Sequence, residues 1–237
     1  MLKILTLNLN YDHAGAGTWS QRQARIETLL QEERPNIVAL QAVHVSPQLD
    51  QVEALTRGYP YRHKLFMAAS ESLPYQGSAI LADVPLSAPW SYALPHRKDD
   101  EDPSFRRAIG ATFAWHGEVW QFTNAHCSWV APQNLRQITA LEGALQVFPG
   151  PQCLVGDFNA TPDGPGIQHL VQAGWTDSFE VAGRGPGTTF PAPNPHSRID
   201  YIFLSGVDPR RLLDIRVVPE AGEPLSDHQA LILTLSR

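Results

Sequence analysis

The segment Val155-Gly156-Asp157-Phe158-Asn159 ends an apolar run, and the two-residue period of a strand puts Asp157 and Asn159 on one side. A carboxylate and an amide would then face one site. Asp and Asn are also common turn formers, so this pentapeptide alone would read as the cap of a strand. The same change from apolar to polar recurs at Asn8 and Asn10, at Asn124-Ala125-His126, at Arg198-Ile199-Asp200-Tyr201 and at Leu225-Ser226-Asp227-His228. A single Asn or His at a strand end is usually bonded into a loop. Several such ends, carrying carboxylates, amides and imidazoles, are better explained by a shared site for a metal and a phosphate group. An oxygen-rich set of this kind suits a hard cation that keeps several waters, whereas zinc would want more His or Cys.

Those residues need strands to place them. Leu2–Leu7 alternates as a strand, and Ser20–Glu33 carries Ala24, Ile26, Leu29 and Leu30 at helical spacing until Pro35 stops it. Ile37–Gln41 reads as a buried strand, and Ser46-Pro47 predicts the N-cap and first-turn proline of a helix ending at Gly58. Tyr59–Phe66, Ser78–Leu81, Arg107–Ala114 and Glu118–Ala125 read as strands without long helices between them, which predicts antiparallel pairing. A helix over Pro132–Phe148, with Leu135, Ile138, Leu141 and Leu145 on one face, precedes a strand at Gln152–Gly156. Strands at Arg198–Leu204, Leu212–Val218 and Ala230–Leu235 close the chain. The expected fold is α/β, with two stacked mixed sheets covered by helices. Prolines cluster in Pro85–Pro103 and Pro186–Pro195, where they predict loops, and one domain spanning 1–237 is expected.

Composition narrows the function classes. With 237 residues and 43% hydrophobic content the chain can bury one substantial core. Its 18 Lys and Arg against 24 Asp and Glu leave a net charge of −6, so no broad basic face draws it to nucleic acid, although a local basic groove stays open. Cys127 and Cys153 form no metal-binding spacing and no disulfide framework, which makes a reducing, cytoplasmic setting the expectation. No secretion signal is read at the N-terminus, and no apolar run approaches the roughly 20 residues of a membrane-spanning helix. A monomer is expected. No Walker or Rossmann glycine spacing follows a strand, which argues against nucleotide-cofactor chemistry.

The ordered set Asn8, Asn124-Ala125-His126, Gly156-Asp157-Phe158-Asn159, Arg198-Ile199-Asp200-Tyr201 and Ser226-Asp227-His228 resembles the endonuclease/exonuclease/phosphatase superfamily, the deoxyribonuclease-like fold, over nearly the whole chain. That resemblance implies a four-layer αββα sandwich and a phosphoesterase dependent on Mg²⁺ or Mn²⁺. The superfamily includes nucleases, apurinic-site endonucleases, tyrosyl-DNA phosphodiesterases, deadenylases, sphingomyelinases and inositol-phosphate phosphatases, and fold alone does not choose among them. Carried over, Asn8 and Asp227 would belong to the metal environment, Asp157 would orient or deprotonate the attacking water, and Asn159 would hold that water or a phosphate oxygen. Asp200 would hydrogen-bond His126 and raise its pKa, and His126 and His228 would donate to the non-bridging oxygens. The implied function is a phosphodiesterase or nuclease-type hydrolase whose partner is a phosphate ester, nucleic acid included. A phosphomonoesterase, a phospholipase-type enzyme and a phospho-ligand binding module are the alternatives.

One position departs from the family. Its second strand ends in Gln-Glu, the glutamate being the principal metal ligand, whereas this chain reads Gln41-Ala42, with His44 a poor substitute. The rest of the set is intact, which fits a single Glu→Ala replacement, engineered to slow turnover; a natural loss of one ligand is the competing account. Weaker candidates for substrate contact are Asn124, Arg107 and Trp129, with Trp19, Arg106 and Arg136 behind them. Packing or ion pairing is the plainer reading of each. The run Asp99-Asp100-Glu101-Asp102 is expected to be a solvated loop, and neither Cys carries the signature of a nucleophile.

Overall fold

The computed structural model describes residues 1–11, 17–57, 60–218 and 223–237. In chain order the strands are β1 (Leu2–Asn8), β2 (Ile37–Val45), β3 (His63–Ala68), β4 (Tyr75–Ala82), β5 (Ser87–Ala93), β6 (Arg107–Trp115), β7 (Glu118–His126), β8 (Gln152–Asp157), β9 (Thr176–Asp177), β10 (Asp200–Ser205), β11 (Leu212–Val218) and β12 (Ala230–Leu235). The helices are α1 (Trp19–Glu33), α2 (Gln51–Thr56), α3 (Ala131–Leu145), α4 (Pro165–Gln172) and α5 (Ser178–Ala182). One sheet runs β11-β12-β1-β2-β4-β3 and the other β5-β6-β7-β8-β10-β9. Both are mixed, because β1 pairs parallel with β2, and β7 with β8, among antiparallel neighbours.

Strand periodicity sorts side chains into layers. In β1, Leu2 and Ile4 enter the core between the sheets, while Leu5 and Leu7 pack on the helical side. β2 divides Ile37 and Ala39 from Val38 and Leu40 in the same way, and β8 divides Cys153 and Val155 from Leu154. Helix α1 covers the first sheet with Ile26, Leu29 and Leu30, each burial contributing roughly 1.5–3 kcal/mol. Helices α3 and α4 cover the second with Ile138, Leu141, Leu145, Ile167 and Leu170. The result is the four-layer αββα sandwich. Continued along each strand, the same alternation puts Asn8, Asn124, His126, Asp157 and Asp200 on the inter-sheet side, where the apolar core ends.

Three local expectations change. Ser46-Pro47 does not start a helix: Ser46 and Leu49 close a turn, Val45 bridges Asp50, and α2 begins after Asp50, whose Oδ1 accepts from Glu53 N at 2.9 Å. The helix ends at Thr56, and Gly58 and Tyr59 lie outside the described residues. The proline-rich stretch is not all loop, because β5 runs through Pro89. That strand is tolerated as the sheet's edge, with its register shifting between Ser87 and Trp90. Helices α4 and α5 and the short β9 had no strong periodic signal.

Candidate active site

Strands β7, β8 and β10 lie side by side, and their register sets His126 opposite Asp157 and Asp157 opposite Asp200. Gly156 makes this approach possible: with φ +136°, a Cβ there would come within 1.9 Å of the Ala125 carbonyl oxygen. Asn8 crosses from the other sheet, and its Nδ2 donates to Asp157 Oδ2 at 2.8 Å. Asn159 N donates to Asp157 Oδ1 at 2.8 Å, and its side-chain amide donates to Cys127 O at 3.0 Å. His228, just ahead of β12, places Nδ1 at 2.9 Å from Asp200 Oδ2 and Nε2 at 3.8 Å from Asp157 Oδ2. His126 Nε2 lies 3.4 Å from that same oxygen. Asp227 is half-buried, accepts from the Ser226 hydroxyl at 3.0 Å, and receives Ala192 N on its carbonyl. The Phe190 ring rests on the His228 imidazole, 4.8 Å between centroids.

Asp200 therefore does not serve His126. Strand β8 separates β7 from β10, so an imidazole ending β7 meets Asp157 first, while His228, descending from the facing sheet, takes the Asp200 carboxylate. The expected upward shift of His126 is likewise reversed. Burial, then Arg106, then His228 hold it well below the ordinary imidazole value. His126 is thus neutral, and its approach to Asp157 is dipolar and not an ion pair.

The other two titrating groups move upward. Burial raises the Asp157 carboxyl, and with His228 opposing and Asp200 adding, its pKa reaches about 6. Burial alone would depress His228, but the Asp200 and Asp157 carboxylates, the hydrogen bond to Asp200 and the charge of Asp227 raise it to about 9. The site at neutral pH is an imidazolium between two carboxylates, with a neutral imidazole alongside. Cys127 sits beneath it, and burial pushes its thiol up to about 12, which leaves it inert as a nucleophile.

The donor chemistry fits a divalent cation. Asp157 and Asp200 each bring a carboxylate oxygen within 4.8 Å of the other beside the His228 ring, which as an imidazolium donates and does not ligate, and Asp200 Oδ1 is buried without a hydrogen-bond partner among the described residues. Position 42 contributes nothing to such a cation. Ala42 is buried at φ 49°, in the bulge where β2 shifts register against β4, and its carbonyl accepts from Tyr11 N.

Asn124 is not placed to touch substrate. It is wholly buried, with Nδ2 donating to Leu40 O and Ala79 O at 2.9 Å each and Oδ1 accepting from Gln41 Nε2 at 2.7 Å. It ties the two sheets together behind the bulge. Trp129 is exposed beyond β7, whereas Trp19 begins α1, with the Arg22 guanidinium over its ring. Arg107 donates to Ser91 Oγ at 2.8 Å, and Arg136 pairs with Asp100. The acidic run is not wholly solvated, because Asp102 is buried and bound to Arg106.

A narrow cleft opens onto His126, lined by Tyr11, Met67, Ala69, Gly77, Ser78 and Ser104 to Arg107. Tyr11, Asp102 and Arg106 are the residues sequence reasoning undervalued. A roomier cavity of about 480 Å³ beside β11 includes Arg216, already paired with Glu33, and none of the strand-end residues.

Among solved structures, the chain is similar in fold to a functionally unknown conserved protein of Enterococcus faecalis V583, at 23% identity and TM-score 0.85 over 99% of each chain. It is also similar to a mannosyl-6-phosphatase of Bacteroides thetaiotaomicron, at 19% identity and TM-score 0.86 over all of both chains. D. rerio TDP2 complexed with single strand DNA product aligns at 17% identity and TM-score 0.76, over 100% of this chain and 99% of that one. No curated protein matches. Residues 5–228 match the Endonuclease/Exonuclease/phosphatase family, whose enzymes are phosphoester hydrolases that generally use divalent metals, and the chain belongs to that family.

Proposed function

We propose that this chain is a phosphoester hydrolase assisted by Mg²⁺ or Mn²⁺, weakened in its hold on the metal by Ala42. The observation that carries the reading is the row His126, Asp157 and Asp200 across three adjacent strands, with His228 set against two of them from the opposite sheet. Asn8, Asp200 and Asp227 would hold the cation, which when bound supplies charge neutralisation and polarisation at the phosphoryl group. Asp157, its pKa lifted to about 6, is suited to take the proton of an attacking water. Asn159 would fix that water or a phosphate oxygen. The Asp200-braced imidazolium of His228 and the neutral ring of His126 would donate hydrogen bonds to the non-bridging oxygens as charge builds on them.

Sequence reading favoured a nuclease-type phosphodiester, and the cleft favours a small phosphomonoester. A net charge of −6 and a narrow mouth offer no track for a long polyanion. Phosphate release should be measured with Mg²⁺ or Mn²⁺ from sugar phosphates, a bis-aryl phosphate and an oligodeoxynucleotide, using the chain as it stands and Ala42→Glu. Monoesters should be preferred in kcat/KM, and preference for either diester would reverse the choice. No turnover by either form would leave the binding-module reading.

A further inference from the structure

Arg106 stands outside the strand-end set, yet it lines the cleft onto His126. Its Nε donates to Asp102 Oδ2 at 2.9 Å, and the guanidinium side chain is only 10% exposed. Asp102 is locked in turn: it is 1% exposed, its Oδ1 accepts from Ser104 N at 3.0 Å, and its carbonyl accepts from Gln133 Nε2 at 3.1 Å. Neither Nη of Arg106 has a hydrogen-bond or ion-pair partner among the described residues. A guanidinium fixed through Nε and open at both Nη groups offers two forked N–H donors, the geometry that grips a phosphate bidentately. Arg107 differs, because its Nη1 is bound to Ser91 Oγ.

On the opposite wall, Tyr11 comes from the first sheet. Its φ of 51° is left-handed, as is that of Asn10 before it, a conformation that bulky residues rarely adopt. The chain is clamped there. Tyr11 N donates to Ala42 O at 2.6 Å, and Tyr11 O accepts from Gln51 Nε2 at 2.8 Å and from the buried Arg22 at 3.0 Å. The effect of this clamp is to set the Tyr11 ring in the cleft that Arg106 lines from the other sheet.

We propose that Arg106 grips the substrate phosphate, that Asp102 is its positioning residue, and that the Tyr11 hydroxyl is a second donor to the same group from the opposite wall. This names the phosphate-recognition half of the site and rests on the phosphoester reading. The ligand chemistry is a phosphate dianion, free or as the head of a monoester.

Inorganic phosphate titrated into the full chain by calorimetry, once with chelator and once with excess Mg²⁺, tests it without turnover. Arg106→Lys should weaken phosphate by about tenfold or more, the scale of a charge-assisted hydrogen bond, and Asp102→Asn and Tyr11→Phe by about threefold or more. If Asp102 acts only through Arg106, Asp102→Asn should add nothing in an Arg106→Gln background. Should Arg106→Gln fold poorly, the Lys variant, which keeps charge and stem, still reads the fork. Unchanged phosphate affinity in correctly melting Arg106→Lys and Arg106→Gln would overturn the proposal, as would a parent chain that binds no phosphate. Arg106-dependent phosphate binding without hydrolysis of any ester would instead remove the hydrolase reading and leave this one standing.

Discussion

In the second sheet, His126, Asp157 and Asp200 occupy one row of three hydrogen-bonded strands, spaced by the ladder itself at about 4.7–4.9 Å per strand. In the first sheet, Ala42 sits in a bulge, Tyr11 in a left-handed turn, and Asp227 and His228 in the chain ahead of β12. The ladder residues cannot move relative to one another without breaking backbone pairing, and Asp157 carries contacts from Asn8, Asn159, His126 and His228 at once. The bulge and turn residues are set by local backbone, so one side chain there can be lost while the rest keeps its geometry. Under the proposed reading, Ala42 is such a loss.

The largest effect should fall on the ladder. In the Ala42→Glu background, Asp157→Asn should cut turnover by about 10³, within the range for a positioned acid or base. Asp227→Asn should cost far less, and equal losses in steady-state assays would erase the distinction between the sheets. Ala42→Glu itself should tighten Mg²⁺ by about 10–100-fold in calorimetric titration, the scale on which a lost metal contact is felt. Unchanged affinity would mean that the bulge does not face the cation.

Between the sheets, Asn124→Leu should lower the melting temperature by several degrees, since each carbonyl left without its donor costs about 1–3 kcal/mol. A native melting temperature would show that the seam does not depend on this amide.

The smallest effect concerns pH. His228 is raised from 6.5 to about 9, so its contribution to stability is full below pH 6.5 and is lost as pH rises through about 9. The chelator-treated protein should therefore melt progressively lower across that window. Asp200→Asn should flatten the decline, and a flat profile in the parent would refute the pairing.

Much of the second sheet was legible in the sequence. Asp157, Asn159, Asp200 and His126 stand where apolar alternation turns polar, and the two-residue period alone puts the strand residues on the inner face. Which carboxylate meets which imidazole was not legible, because it depends on β8 lying between β7 and β10. Arg106 was obscured for a related reason: a loop has no period, so the burial of Asp102 inside an acidic run leaves no pattern. Pro89 hid β5 because proline argues against a strand, and only its place at the sheet edge lifts that objection.

β12 is the last of the described strands in sequence order, yet it lies between β11 and β1 in the interior of the first sheet. During synthesis β1 therefore waits, one flank unpaired, until residues 230–235 have emerged. His228 arrives with that closing strand, and the bond from Asn8 to Asp157 already spans 149 residues. Assembly is dominated by contacts distant in sequence, the kind that slow folding and leave a bare strand edge open to association with other chains. A ribosome-bound or truncated chain stopping short of residue 225 has neither the imidazolium nor the strand that seals β1, so the strand-end cluster is complete only once that strand is in place.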